Sequence, residues 1–508
     1  MIPPTRIANN IIDSAQRLLE RADVRKVLVI IAVIIVAWTL GKSVATQKFD
    51  LPLGLFGLGI FFAIFFRPES LTVLIPIAFC VPNFGLDIPG PWAITVEDAF
   101  IMMVFGATVS RNILLKLPII RFDTPIAKPL LVLWAVAMVS LVKTALISPE
   151  NLIIIIKELM RLTLMTALFF SLLDVVQTRQ RVMGVIKWLL VLSIPMALVS
   201  WYIYLTNSPF FYHILTMKPA YIFYKTNILR MISIAGSTSY TGLYYALMIA
   251  LAWTFPGLDK GRAPRLVRPL LIALLASCLV MTFNRGTWVG VLLGVAVIMF
   301  TGGLSRRKIT FAIFILLGVG VLASAQFFSQ FDVEAKAGIV IELSRSSGMA
   351  RIIRWISSLN VILQEPILGV GYNNYAFVYG NYSIQEGLTR VYGSPHNMYV
   401  DILTGLGLAG FACFSAFLFR LWQMHADNLR NAGDADLKRI ATGLFVALIF
   451  YLGSSAFDSF LFKPHHTSFI IVILWALSAA IYNINHAKNG AAFYSMPLSA
   501  PGEVKSTS

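Results

Sequence analysis

Apolar stretches of about 20 residues follow one another along the chain, separated by short polar breaks. A helix rises about 1.5 Å per residue, so such a stretch matches the roughly 30 Å hydrocarbon core of a bilayer. The pattern predicts about 14 spans. They fall at 27–46, 51–66, 70–86, 93–110, 126–147, 152–174, 183–205, 239–256, 268–284, 287–303, 309–327, 398–419, 439–461 and 467–484. The second is short, and the fourth carries Glu97 and Asp98 near one end. The runs are continuous rather than alternating, which excludes a transmembrane β-barrel. The expected fold is therefore all-α, a polytopic transmembrane helix bundle. Two outer connections are long, 206–238 and 328–397, and only the second is large enough to fold. In that loop SSGMARIIRWISSLNVILQ (346–364) gathers Met349, Ile352, Ile353, Ile356, Leu359 and Leu363 on one side. That spacing predicts an amphipathic helix on the outer membrane surface or over a cavity. No inverted internal repeat of the transporter kind is evident.

Composition agrees. Hydrophobic residues make up 58% and charged residues 13%, and mean hydropathy is +0.78. Soluble domains hold about 45–50% and about 25%. Disordered, collagenous and disulfide-rich secreted classes are excluded. Cys80, Cys278 and Cys413 lie scattered in apolar runs and make neither a disulfide framework nor a metal site.

Lys and Arg total 41 against 24 Asp and Glu, a net +17. In a soluble chain that excess would raise nucleic acid as a partner; in a polytopic one it first reads as positive-inside bias, and no nucleic-acid partner is expected. With the N-terminus in the cytoplasm, every inside segment is basic: Arg6 to Lys26, Arg67, Arg111 to Lys128, Arg179 to Lys187, Lys260 to Arg268, Arg306 to Lys308, Arg420 to Arg439, Lys488 and Lys505. Both termini are expected inside, with an uncleaved first helix. The chain then divides into a cytoplasmic segment 1–26, a first part of the bundle 27–327, the outer loop 328–397, the last spans 398–484 and a polar tail 485–508 expected to be disordered.

Some basic residues are not explained by orientation. A charge inside a span costs about 2.5–3.5 kcal/mol on insertion scales. Lys143 lies near the outer end of the fifth expected span, and Lys157, Glu158 and Arg161 lie in the sixth. Lys157 and Arg161 share a helix face. They form either a structural ion pair with a snorkelling lysine or a basic stripe lining an anion cavity. Arg285, in Asn284-Arg285-Gly286-Thr287-Trp288, occupies a tight outer turn. A guanidinium beside a helix start suits phosphate; the alternative is an interfacial anchor next to Trp288. Arg351 and Arg354 stand three apart on the amphipathic helix, and Arg230 precedes the small polar stretch 236–240. His396-Asn397, after Ser394 and Pro395, opens the twelfth expected span. A neutral imidazole there suits a general base; otherwise the pair caps the helix. Asp401 and Asp458 are placed to line a cavity, and Gly405, Gly407 and Gly410 offer small residues for close helix contact. His465 and His466 read as loop residues, without the ligand spacing of a metal site.

Four of these segments, in this order, resemble the bacterial O-antigen ligase and Wzy-type O-antigen polymerase superfamily. They are the Arg230 stretch, NRGTW, MARIIRWISSLNVILQEPILGVGYNNY and SPHNMYVDILTGLGLAGF, spanning 230–411. Arg351, Trp355, Pro366, Gly369 and Gly371 fit in the third, and His396, Asn397, Tyr399, Gly407 and Gly410 in the fourth. One position departs: members often carry Glu where this chain has Gly405, and Asp401, one turn earlier, is the candidate substitute. The resemblance implies an inverting glycosyltransferase of the GT-C type, with no metal and no cofactor. Its donor would be a glycan on undecaprenyl pyrophosphate, handled at the periplasmic face of the inner membrane, which makes the long outer loop periplasmic. His396 would be the catalytic base. Arg285 and Arg351 would hold the pyrophosphate, helped by Arg354, Arg230 and Arg161, with Asn397, Asp401 and Lys157 in support. Implied partners are the lipid-linked glycan, an acceptor glycan or lipid, membrane lipids and a chain-length regulator protein. The leading expectation is a polymerase of O-antigen, capsule or exopolysaccharide repeat units. Ligation onto lipid A-core, or onto protein, is the near alternative, and a lipid-linked glycan flippase is the alternative of a different class.

Overall fold

A computed structural model describes residues 50–79, 85–86, 94–206, 230–233, 237–259, 264–300, 347–382, 394–460 and 466–487. The expected spans 27–46 and 309–327, the segment 1–26, the tail from 488 and loop residues 328–346 and 383–393 lie outside the described residues.

The described chain is helical apart from one small ladder. In order the helices are α1 (Asp50–Phe66), α2 (Leu71–Ala78), α3 (Val96–Leu114), α4 (Ala127–Val139), α5 (Leu141–Ile147), α6 (Leu152–Val175), α7 (Arg179–Thr206) and α8 (Thr238–Thr254). Then come α9 (Pro264–Met281), α10 (Arg285–Phe300), α11 (Ser347–Gln364), α12 (Tyr375–Tyr382), α13 (Met398–Asn431), α14 (Ala435–Ser455) and α15 (His466–Ala487). Among the described residues five helical segments are long and apolar enough to cross a membrane: Ala127–Ile147, Arg179–Thr206, Met398–Asn431, Ala435–Ser455 and Thr467–Ala487. The pair α1–α2, bent by 119°, makes a sixth if it is one span. The expected total of about 14 is thus not established, because several apolar runs fold as shorter or charge-bearing helices.

The third expected run departs most. Pro76 sits inside α2 and the helix stops at Ala78. Gly85–Leu86 (β1) pairs antiparallel with Ile94–Thr95 (β2), Gly85 opposite Thr95. Thr95 then caps α3. Its hydroxyl accepts from the Asp98 N–H at 3.1 Å, and the Asp98 carboxylate accepts from the Thr95 N–H at 3.0 Å. This reciprocal capping box explains an acid at that end of an apolar helix.

Burial orders the bundle: 83% of the apolar window of α15 and 72% of that of α14 are buried, against 28% for α4–α5, so α14 and α15 form the centre and α4–α5 the rim. α10 lies close on α14, where a Cβ at Gly290 would stand 2.7 Å from the Phe450 carbonyl oxygen. One end of the bundle is a belt of paired charges. Asp174 takes Arg111 and Arg121, Arg179 meets Asp434 and Asp436, and Asp259 holds Arg268 and Arg439. The turns opening α8, α10 and α13 and closing α14 all lie at the opposite end.

α13 is not one continuous helix. Gly407 has φ 62° and ψ −164°, a region open essentially to glycine alone. The break frees the carbonyls of Thr404 and Gly405 and the N–H groups of Leu408 and Ala409. Segment 366–371 takes up all four. Val370 and Gly371 donate to Thr404 and Gly405 at 2.9 and 3.0 Å, and Leu408 and Ala409 donate to Pro366 and Ile367 at 2.8 and 3.1 Å. Every freed backbone group is satisfied, as the interior of such a protein demands. The close-contact expectation for Gly405 and Gly407 is therefore met by a loop threaded into a helix break rather than by a neighbouring helix. A Cβ at 405 would lie 3.3 Å from the Gly371 carbonyl oxygen, so the interlock leaves little room for a longer residue there.

α11 inverts the usual amphipathic arrangement: Ser357 and Ser358 are buried, while Ile356, Leu359 and Leu363 are exposed. Just beyond its end, Glu365 forms an ion pair with Lys143 at 2.6 Å.

Candidate active site

The start of α13 is built by its own polar residues. Asn397 is the N-cap: its Oδ1 accepts the N–H groups of Tyr399 and Val400 at 3.0 and 3.2 Å, leaving the imidazole of His396 uninvolved in the cap. His396 itself has φ 52°, an uncommon conformation for a non-glycine residue that persists only where the surroundings enforce it. Two contacts do so. The Ser394 hydroxyl accepts the His396 N–H at 3.2 Å, and Trp355 Nε1 on α11 donates to the Pro395 carbonyl at 2.9 Å. The amphipathic helix is thereby tied to the histidine turn. Ser394 also bonds Asp401 Oδ2 at 3.3 Å.

The ring of His396 faces the turn that follows α14. Nδ1 lies 3.2 Å from Asp458 Oδ1. That oxygen also accepts the Ser459 N–H at 2.9 Å, and the carboxylate is hydrogen-bonded by Ser239. An acceptor at Nδ1 selects the tautomer with its proton there and leaves the Nε2 lone pair for chemistry. Nε2 makes no hydrogen bond among the described residues, and the side chain is 34% exposed. Burial alone would raise the Asp458 pKa. The hydrogen bond from His396, with those from Ser239 and the Ser459 N–H, overcomes that and holds the carboxyl well below the usual carboxylate range.

Ser239 extends the network to the arginine turn. Asn284 Nδ2 donates to Ser239 Oγ at 2.7 Å, while Asn284 Oδ1 accepts the Thr287 N–H at 2.9 Å and caps α10. Gly286 lies against Phe457; a Cβ there would stand 2.5 Å from that of Phe457. The turn carrying exposed Arg285 is therefore pressed onto the turn carrying Asp458. Arg230 arrives beside it, because the Met231 N–H donates to the Met281 carbonyl at 2.8 Å.

The other basic candidates are less alike. Arg354 is half-buried, and burial lowers its pKa from the ordinary value while Tyr379 and Tyr375 oppose that shift. Arg351 lies on the first turns of α11, but its side chain is outside the described residues. Arg161 has two carboxylate neighbours, Asp98 and Glu158, each at 3.7 Å, which is the ion-pair arrangement among the two readings of that stripe. Lys157 makes no ion pair among the described residues.

The structure thus brings His396, Asn397, Asp401, Arg285 and Arg230 to one end of the bundle. It adds Asp458, Ser239 and Asn284 as a connected support. Asp458 carries a sequence signal as a polar residue at a span end, but its partner stands 62 positions away, a distance that leaves no local pattern. Ser239 and Asn284 read only as polar neighbours of Tyr240 and Arg285.

Chemically, this is an imidazole with an oriented carboxylate behind it and Arg285 and Arg230 on the adjoining turns, which suits proton removal next to an anionic group. No curated protein matches the chain. Residues 270–415 match the O-antigen ligase family (Wzy_C), a stretch that contains both Arg285 and His396, and that match supports the resemblance to the O-antigen ligase and Wzy-type superfamily.

Proposed function

We propose that this chain is a membrane glycosyltransferase that polymerises oligosaccharide repeat units carried on undecaprenyl pyrophosphate, at the outer leaflet of the inner membrane. The observation that carries this reading is the His396–Asp458 contact of 3.2 Å with Nε2 open toward solvent. Apolar helices and the matched family support a multi-pass membrane protein acting on lipid-linked glycans. The separation of the paired basic belt from the His396 end agrees with a site facing the periplasm and the belt facing the cytoplasm.

In the proposed step, the acceptor hydroxyl gives its proton to His396 Nε2 as its oxygen attacks C1 of the lipid-linked sugar. The bond from C1 to the pyrophosphate oxygen breaks, its electron pair leaves with undecaprenyl pyrophosphate, and the configuration at C1 inverts. Asp458 fixes the ring and balances the imidazolium that forms. Arg285, with Arg230, Arg351 and Arg354, meets the charge on the leaving pyrophosphate. Arg161, already beside two carboxylates, fits a structural role better than this one. Asn397 supports by capping the helix that carries the base. The protein groups named supply proton transfer and charge stabilisation, and the reading invokes neither metal nor cofactor.

Replacing His396 with Ala tests the base. General-base catalysis is worth about 10²–10⁴-fold, so glycan transfer should fall by that factor while the protein still inserts. Unchanged polymer would reject the assignment. A second reading, ligation of finished glycan onto lipid A-core, has the description of the matched family in its favour. Surface glycan from a deletion strain separates the two. Single repeat units on core lipid mean a polymerase, and bare core with undecaprenyl-linked polymer means a ligase.

A further inference from the structure

We propose that the cleft between α7 and α9, at the basic end of the bundle and remote from His396, is a binding site for a diacyl lipid with an anionic phosphate head group. The two helices touch at one end, where Trp201 Nε1 donates to Ser277 Oγ at 3.1 Å. Toward their basic ends they separate. The gap is a cavity of about 840 Å³, floored by Phe255 and Leu258 and walled by Val191 and Ile194 on α7 and Val267 and Leu270 on α9. That volume lies in the roughly 300–1,000 Å³ range of sites that enclose a small ligand. The wall residues Val191, Ile194, Val267 and Leu270 are all exposed. α7 is long and apolar enough to cross a membrane and α9 is a shorter apolar helix, so a cleft between their exposed apolar side chains suits acyl chains.

Charge selects the head group. Arg179, Gln180 and Lys187 line the same cleft. Arg179 is already held by Asp434 and Asp436. The remaining carboxylate nearby, Asp259, is held by Arg268 and Arg439. Lys187 is exposed and has no ion pair among the described residues. It stands eight residues into α7, roughly 12 Å along the axis from Arg179. An ammonium beside that apolar wall, without an ion pair among the described residues, is complementary to a phosphate whose acyl chains fill the cleft below it.

Native mass spectrometry of the full chain in detergent tests this, with phosphatidylglycerol and zwitterionic phosphatidylcholine added in turn. The unaltered chain should retain phosphatidylglycerol in preference to phosphatidylcholine. Lys187→Gln should lower that retention by about fivefold, the effect of removing one lysine near a lipid phosphate. Leu270→Trp, which fills the cleft and spares the charge, should abolish it. Val191→Trp serves the same purpose from the opposite wall should Leu270→Trp not fold, as judged by a lipid-free thermal midpoint. Equal retention of the two lipids, equal retention by Lys187→Gln, or undiminished retention by a folded cleft-filling variant would overturn the proposal. So would displacement of phosphatidylglycerol by undecaprenyl phosphate, or a crosslink from position 270 to a second copy of the chain.

Discussion

Changing Asp458 to Asn removes one charge from the histidine contact and almost no volume. The geometry defines what remains. Asp458 Oδ1 receives both His396 Nδ1 at 3.2 Å and the Ser459 N–H at 2.9 Å. An Asn carbonyl oxygen would be held at that position by the backbone donor, so the imidazole would keep its tautomer. What is lost is the negative charge behind the ring as it becomes imidazolium. A hydrogen bond to a charged group contributes about 1.5–3 kcal/mol, which converts to a loss of roughly 10- to 150-fold in kcat. Asp458→Ala removes the acceptor as well, frees the ring to turn, and should approach the His396→Ala loss of about 10²–10⁴-fold. KM for the lipid-linked donor should change little in both variants, because Asp458 acts through His396. The assay is release of undecaprenyl pyrophosphate by purified protein in nanodiscs, with kcat and KM measured separately. Asp458→Asn with the kcat of the unaltered protein, or Asp458→Ala more active than Asp458→Asn, would refute the assignment of Asp458 as the positioning residue.

Other outcomes follow from the same geometry. Arg285→Lys keeps the charge but loses the planar fork, and should lower kcat by about tenfold; full activity would reduce Arg285 to an interfacial anchor. Gly407→Ala places a Cβ 2.3 Å from the Ile367 carbonyl oxygen in a backbone region that costs about 1–3 kcal/mol. Its thermal midpoint in detergent should drop, while Gly59→Ala, inside α1 with nothing within 4 Å, should leave the midpoint unchanged or raise it slightly. The Asp458 carboxyl is held below its ordinary value, so its contribution to stability is present above the usual carboxylate pKa of about 3.9 and is lost as pH falls through the depressed one. The stability gap between the unaltered protein and Asp458→Asn should therefore stay open from neutral pH down to about 4; closure near pH 6 would contradict the charge network.

The helices were legible because burial in lipid is written as continuous apolar length. The run 183–205 became α7 and the run 439–461 became α14, each shifted by a few residues. The exceptions have local causes. α2 ends at Ala78, two residues past Pro76, and Glu97 and Asp98 open α3 as a capping turn. The break in α13 was not legible. Its four backbone groups are satisfied by segment 366–371, and main-chain pairing over such a distance has no periodicity; Gly369, Gly371, Gly405 and Gly407 announce a close approach but not its partner. The site divided the same way. His396, Arg285 and Arg230 stood out because a polar or basic residue at an outer span end has no orientational reason to be there. The pairing of His396 with Asp458, and of Arg161 with Asp98, depends on which helix ends meet, which is set by packing of α13 on α14 and of α3 on α6.

The most direct measurement uses the purified full chain with labelled glycan on undecaprenyl pyrophosphate. The expected result is release of undecaprenyl pyrophosphate together with new glycosidic bonds of inverted configuration, and loss of both by about 10²-fold or more in folded His396→Ala. Equal release by that variant, or passage of the lipid-linked glycan across a membrane with no release at all, would contradict it.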